Sequence, residues 1–414
     1  MTKDRIPAYH YGETEAVYES SGSTVVLRAK NTDENDYSAY LTELKNAGFS
    51  VYAENTIAGN RFTTLCDGKT AVNFYYIPKT GVTRVVYEDQ GALYPTADNT
   101  PGRGFRPLIT GMKGETVVAY EGMGFIIRLY DGSFVILDGG MGDPDGVDAD
   151  KLMNILRQQA PKGEKPVVAA WLFSHLHGDH IGVFNCFSIV HHDDIVLQSI
   201  YCNFPKEEET AISDSPYMLD DTIYRYTQFK KCLKEYYPDV PVIKPHTGNR
   251  FVVRNAVFEV LETLEDIAPK TILDGGMNEC SVLYKMFFAG QTTLWTGDIA
   301  FIATDMAIAQ FGDYLKSDIL QMAHHGINGT IPFYSLVDPT YVFLPLWEGE
   351  ESYRKTFEAK QNLWLKESRN VRQILHTGFG TWTIAMPYAP ADGTFDRMPT
   401  DGTRNPVYAD SGEE

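Results

Sequence analysis

The stretch Leu172-Phe173-Ser174-His175-Leu176-His177-Gly178-Asp179-His180 constrains this chain more than any other. Three imidazoles and a carboxylate fall between positions 175 and 180, directly behind the apolar run from Pro166 to Phe173. Such a run reads as a fully buried strand, so the polar cluster sits where a buried strand ends. In α/β sheets that end faces the crevice where loops gather ligands. Alternate residues of an extended segment share a face, which turns His175 and His177 the same way. Gly178 then lets the chain bend, so that Asp179 and His180 address a second point nearby. Neutral imidazole and carboxylate oxygen suit zinc, manganese or iron, whereas thiols would be expected in a purely structural zinc site. The expectation is a divalent metal centre of one or two ions, Zn before Mn or Fe. With ten histidines in 414 residues, a chance polar loop is the poorer account of the cluster.

Further stretches fit the same chemistry. Strands are expected at Glu115 to Tyr120, Phe125 to Tyr130 and Ser133 to Leu137, the last two joined by the turn Asp131-Gly132. The third runs into Asp138-Gly139-Gly140-Met141, and a helix from Ala149 to Gln159 separates it from the histidine cluster. Downstream come Asn278-Glu279-Cys280-Ser281, a strand from Gln291 to Trp295, Thr296-Gly297-Asp298, and Ala323-His324-His325-Gly326.

The run at 175–180 resembles the H-x-H-x-D-H signature of metallo-β-lactamase-fold hydrolases. The later order of strand, Gly-Asp, helix and His-His-Gly resembles, within them, the domain shared by bacterial DNA-uptake competence proteins and phosphorylcholine esterases. The likeness covers roughly residues 115–385 and implies an α/β fold, an αββα sandwich. It also implies metal ligation by His175, His177, Asp179, His180, Asp298 and one of His324 and His325, with His324 the preferred of the two. Asp298 is implied to bridge two cations, and Asp138 to support the ligands without touching metal. Asp179 is expected to steer a proton as well. Asn278 stands where many members of the fold carry a third-motif histidine, as it does in the competence-type branch. One metal position is then a ligand short, which fits one tightly held ion and a weaker second. Asn278 and His376 are the candidates for contact with substrate, His376 as a proton donor at the pocket rim, although a structural role competes for it.

Residues 1–90 read as a small α+β accessory domain. Its elements are a strand over 23–29, a helix capped by Asp33 and stopped by Gly48, and alternating strands at Phe49 to Ala53, Arg61 to Leu65, Thr70 to Ile77 and Thr83 to Glu88, read as a β-α-β-β-β unit. It carries no ligand or nucleophile pattern and is expected to serve packing or homo-oligomerisation, with a lid over the site as the competing reading. Residues 91–115, rich in Pro and Gly, read as a linker, 116–386 as the hydrolase domain and 387–414 as an irregular tail. Residues 204–240 look like an insertion with a Tyr-rich helix that walls a pocket. His191-His192-Asp193-Asp194, just before a strand expected from Ile195 to Cys202, reads as solvated loop, and His246 lies too far upstream to stand in for the missing ligand.

Composition narrows the function. The net charge of −19 repels phosphate backbones and argues against a nucleic-acid partner, while leaving room for a small anion at a cation. No apolar run is long enough for a membrane helix. The N-terminal residues lack a signal-peptide core, and five scattered cysteines fit a reducing compartment, so a cytoplasmic location is expected. The function expected is hydrolysis of a small-molecule substrate by metal-activated water, on a phosphodiester or related ester. A carbonyl hydrolase acting on a lactone, thioester or β-lactam is the alternative on the same metals. A binding protein with a degenerate site is the alternative from another class.

Overall fold

The computed structural model describes residues 6–20, 23–115, 123–206, 216–267, 276–346 and 359–389. The chain opens with β1 (Glu13–Glu19), β2 (Val25–Lys30), α1 (Glu34–Asn46), β3 (Ser50–Ile57), β4 (Asn60–Cys66), β5 (Thr70–Ile77) and β6 (Val82–Asp89). Its strands form one antiparallel sheet in the order β1-β2-β6-β5-β4-β3. Helix α1 starts where the Asp33 carboxylate accepts from the N–H groups of Asn35 and Asp36, while Asp36 accepts from the N–H of Asp33. That reciprocal cap satisfies donors the helix itself cannot. One face of the sheet packs under Tyr37, Tyr40 and Leu44 of α1. The other carries Val26, Phe62, Tyr75, Ile77 and Val86 into a core shared with Leu261, Ala303, Ala307 and Phe311. The first unit is therefore packed against the rest of the chain through one face of its sheet. It has one strand more than the sequence pattern predicts: β1 is an edge strand, exposed along most of its length, and shows no clean alternation.

Two further sheets stack face to face. The first contains β7 (Leu108–Met112), β8 (Gly124–Arg128), β9 (Phe134–Leu137), β10 (Val167–Leu172), β11 (Val196–Leu197), β12 (Ile200–Tyr201), β13 (Val242–Ile243) and β21 (Trp382–Ala385). The second runs in order through β14 (Arg250–Val253), β15 (Ala256–Glu262), β16 (Leu283–Phe288), β17 (Gln291–Trp295), β18 (Ile319–Gln321), β19 (Tyr341–Leu344) and β20 (Gln373–His376). Phe125, Leu137, Ala170 and Leu172 meet Phe258, Tyr284, Trp295 and Phe343 between them. Helices α2 (Val147–Gln159), α3 (Gly178–His191) and α4 (Pro216–Tyr236) cover the outside of the first sheet, where Leu152, Phe184 and Phe229 pack with Ile136 and Trp171. On the outside of the second lie α5 (Phe301–Phe311), α6 (Ile331–Val337) and α7 (Lys360–Glu367). The layers read α, β, β, α. Among the described residues no helix is long and apolar enough to cross a membrane.

Two expectations change. The stretch read as a linker ends in β7, which pairs with β8 and β21 inside the sandwich; the Pro- and Gly-rich residues before it hide a five-residue strand. The single strand expected from Ile195 to Cys202 is two short ones, β11 and β12, both beside β10. Apart from Glu115, the strand expected at 115–120 lies outside the described residues, as do the tail beyond 389 and the side chain of Tyr217.

Candidate metal centre

Parallel pairing sets the site. Strand β10 runs parallel to β9, and β17 parallel to β18, so their carboxyl ends deliver residues 174–180, 296–298 and 322–325 as loops. Hydrogen bonds tie these loops: Val282 N–H donates to Ser174 O at 2.9 Å across the two sheets, and His324 N–H donates to Gly297 O at 3.1 Å within the second. The buried Gln321 amide fixes the 296–298 turn, its Oε1 accepting from the N–H of Thr296 and of Gly297 at 2.8 Å each. Gly297 has φ of 51°, and a Cβ there would lie 2.6 Å from the Ser174 side chain. Only glycine lets the two loops meet.

His177 caps α3, so Asp179 and His180 occupy the helix's first turn. The bend expected at Gly178 is the start of this helix, and its first turn carries both side chains toward β17. Asp179, His180, Asp298 and His325 converge, with one ligand atom from each within 4.8 Å of the others, all four residues buried. His180 Nε2 lies 3.2 Å from Asp298 Oδ2 and 3.6 Å from Asp179 Oδ2. His325 Nε2 lies 3.0 Å from Asp179 Oδ2. His175 and His177 stand beside this group and face one another, His175 Nε2 to His177 Nδ1 at 3.0 Å, with His175 Nε2 3.9 Å from Asp298.

Asp138 reaches in from the end of β9. Its carboxylate accepts from the Ser174 N–H and Oγ at 2.8 Å each and contacts His180 Nδ1 at 2.9 Å. The His325 Nδ1–H donates to the Pro345 carbonyl at 2.7 Å. With Nδ1 engaged on each ring, both Nε2 atoms are turned to the cluster. His324 differs. It is a quarter exposed, its Nε2 is 3.7 Å from Asp298, and its Nδ1 lies 3.4 Å from Asn278 Nδ2. The sequence reading preferred His324 as the ligand; the structure has His325, not His324, among the four converging side chains. Both residues have positive φ, 47° and 53°, and this sharp turn, invisible in the sequence, aims the two rings differently.

His376 leaves the set. It is fully buried, stacked on Phe379 at 5.2 Å, and burial alone pushes its pKa down to about 3. A ring so held is neither at a rim nor a proton donor at neutral pH. His246 is also elsewhere, its ring between Glu88 and Glu265, and His191 bonds Asp150 and Asp194 at the far end of α3.

No family model matches the chain, and no curated protein matches it. Among solved structures it is similar to the metallo-β-lactamase fold protein YhfI from Bacillus subtilis, at 14% identity over 67% of this chain and 99% of that one, with a TM-score of 0.39. It is similar to CmlA, a diiron β-hydroxylase from Streptomyces venezuelae, at 9% identity over 70% of this chain and 55% of that one, TM-score 0.39. A third likeness is to MEM-A1, a subclass B3 metallo-β-lactamase from a soil metagenome library, at 15% identity over 57% and 82%, TM-score 0.30. The four-layer architecture is legible in the strand order itself, and these distant likenesses say nothing of chemistry.

The donor set fits a divalent cation. Burial opposes ionisation of Asp179 and Asp298, yet the flanking imidazoles, His180 first, outweigh it and hold both carboxyls well below their ordinary range. Burial likewise disfavours charge on His180, but the carboxylates of Asp298, Asp179 and Asp138 push its pKa well above the ordinary value. His175 goes the other way, kept neutral by burial and by its neighbour His180. Asp298 Oδ1 and His180 Nε2 are buried without a hydrogen-bond partner among the described residues. Such atoms are costly to leave unmatched in a protein interior, and a cation matches both.

Three supporting residues escape a motif reading. Ser174 bridges Asp138 to the rings of His175 and His180. Ser281 Oγ accepts from the Asp298 N–H at 3.0 Å and contacts His175 Nδ1. Glu279 accepts the N–H groups of Ala300, Ile302 and Ala303, which caps α5 just after Asp298. Serine is too common to signal such roles, and only the adjacency of Glu279 to Asn278 pointed at that segment.

Proposed function

We propose that this protein is a metal-dependent hydrolase acting on a phosphodiester or a related small ester, and that Asp179, His180, Asp298 and His325 hold its principal ion. The observation that carries the reading is the convergence of these four buried side chains, with Asp298 Oδ1 left without a donor among the described residues. A divalent cation in such a site supplies Lewis acidity and lowers the pKa of a water from 15.7 toward about 7. His175 and His177, beside Asp298, are the residues for a second, weaker ion, with Asn278 in place of a third imidazole.

The chain's own residues do the rest. Asp138 and the Pro345 carbonyl fix the rings of His180 and His325, so that little reorganisation is required. Asp179, in contact with both rings, is placed to steer a proton. His324, partly exposed and beside Asn278, is placed to hydrogen-bond a substrate oxygen at the mouth. Asn278 fixes that ring.

The phosphoester preference rests on the motif order Gly-Asp, helix, His-His-Gly, and a substrate panel tests it. Metal-loaded protein is expected to hydrolyse bis-nitrophenyl phosphate and to leave nitrocefin and a simple lactone intact. Turnover of the lactone or nitrocefin alone would move the assignment to carbonyl hydrolysis.

A further inference from the structure

Helix α4 supplies none of the four residues of the metal cluster, yet one of its side chains lies directly on the turn that carries two of them. Arg225 crosses the start of α3 over Gly178 and Gly182. A Cβ at Gly178 would sit 2.6 Å from Arg225 Nε, and one at Gly182 would sit 2.7 Å from Nη1. Glycine is the poorest helix former after proline. Two of them four residues apart leave a bare strip on one face of the helix, and the arginine side chain fills it.

The guanidinium is held by two partners. Nη1 donates to the Met141 carbonyl at 2.7 Å, and Nε donates to Asp221 Oδ2 at 2.7 Å. The Arg225 carbonyl accepts from Asn185 Nδ2 at 2.9 Å, which fastens the backbone of α4 to α3 at the same level. Met141 belongs to the loop that leaves Asp138, and in that loop the Gly140 carbonyl accepts from the Val183 N–H at 3.0 Å. Arg225 therefore joins α4, the loop behind Asp138 and the turn bearing Asp179 and His180. A cation beside a helix N-terminus gains nothing from the helix dipole, so the charge alone does not account for an arginine here. Its planar fork does, because it meets a carbonyl and a carboxylate at once.

On the reading of the four-residue cluster as a metal site, we propose that Arg225 is a positioning residue for that centre. It fixes the first turn of α3 so that Asp179 and His180 reach the same point as Asp298 and His325, and it acts through Gly178 and the Met141 loop, touching no ion itself. The test is zinc affinity, measured by chelator competition on full-length wild type, Arg225→Ala and Tyr224→Ala. Tyr224, the neighbouring residue on α4, is 62% exposed and controls for a change in the helix alone. Arg225→Ala is expected to weaken zinc by about tenfold or more, the scale of lost support behind a ligand, and Tyr224→Ala to bind as wild type does. The Arg225 side chain is 21% exposed, so the hole left by its truncation is open to a guanidinium ion. Guanidinium chloride at about 20 mM, far below denaturing concentrations, is expected to restore most of the affinity lost in Arg225→Ala. Unchanged zinc affinity in Arg225→Ala overturns the proposal and leaves the metal site standing. So does an equal loss in Tyr224→Ala, or a loss that guanidinium does not restore, since either marks a general loosening of α4. A wild type that takes up no zinc removes the metal site and this role together.

Discussion

Two adjacent histidines are set apart by what their outer nitrogens meet. The Pro345 carbonyl takes the Nδ1–H of His325 and turns its Nε2 to the cluster, whereas Nδ1 of His324 lies beside the Asn278 amide. His325→Ala is accordingly expected to lose bound metal and activity together. His324→Ala is expected to keep its metal and lose about 100-fold or more in kcat, the scale of a lost proton-bearing group. Elemental analysis and hydrolysis rates measured on the same two preparations separate these outcomes, and metal loss from the His324 variant would reverse the assignment. The sequence displayed both rings but not which was which. Both sit at positive φ, and adjacent residues in such a turn have no periodicity from which to infer direction. His175, His177, Asp179 and His180 were legible because a buried strand ends there; the tilt of Asp179 and His180 toward Asp298 was not, because it comes from the first turn of α3.

Helices α3 and α5 are the elements that hold the site, and each depends on a contact that no motif records. Gly182 of α3 packs against the Met141 carbonyl, and a Cβ there would lie 1.6 Å from that oxygen. Gly182→Ala therefore forces the helix away from the loop behind Asp138. A loss of about 3 kcal/mol or more is expected on urea unfolding, at the upper end for overpacking. Helix α5 begins with its N–H groups on the Glu279 carboxylate. Glu279→Gln keeps the shape and removes the charge, so a loss of about 1 kcal/mol is expected, the scale of a helix cap, and unfolding that matches wild type would exclude the capping role. The sandwich strands were legible from their apolar runs and glycine turns. Strands β1 and β7 were not: the first is exposed at a sheet edge, and the second follows a Pro- and Gly-rich stretch that reads as linker.

Across the whole molecule, the β1–β6 sheet is locked to the sandwich by buried charge as well as by its apolar face. Arg84, fully buried on β6, pairs with Asp266, which also accepts from Tyr75. Nearby, His246 sits between Glu88 of β6 and Glu265, and although burial disfavours its charge, the two carboxylates raise its pKa to about 9. A raised histidine contributes stability that is complete below its ordinary value of about 6.5 and is lost as the pH climbs through the folded value. The melting temperature is therefore expected to fall between about pH 7 and pH 9.5, and His246→Gln to flatten that slope; an unchanged slope in the variant would place its origin elsewhere. The account as a whole depends on the four-residue cluster gripping an ion. Calorimetric titration of chelator-stripped protein with zinc tests it most directly, run beside Asp298→Ala. Wild type is expected to take up at least one ion per chain at micromolar or tighter affinity and the variant to lose that site; a wild-type protein that binds no zinc, manganese or iron would contradict the account.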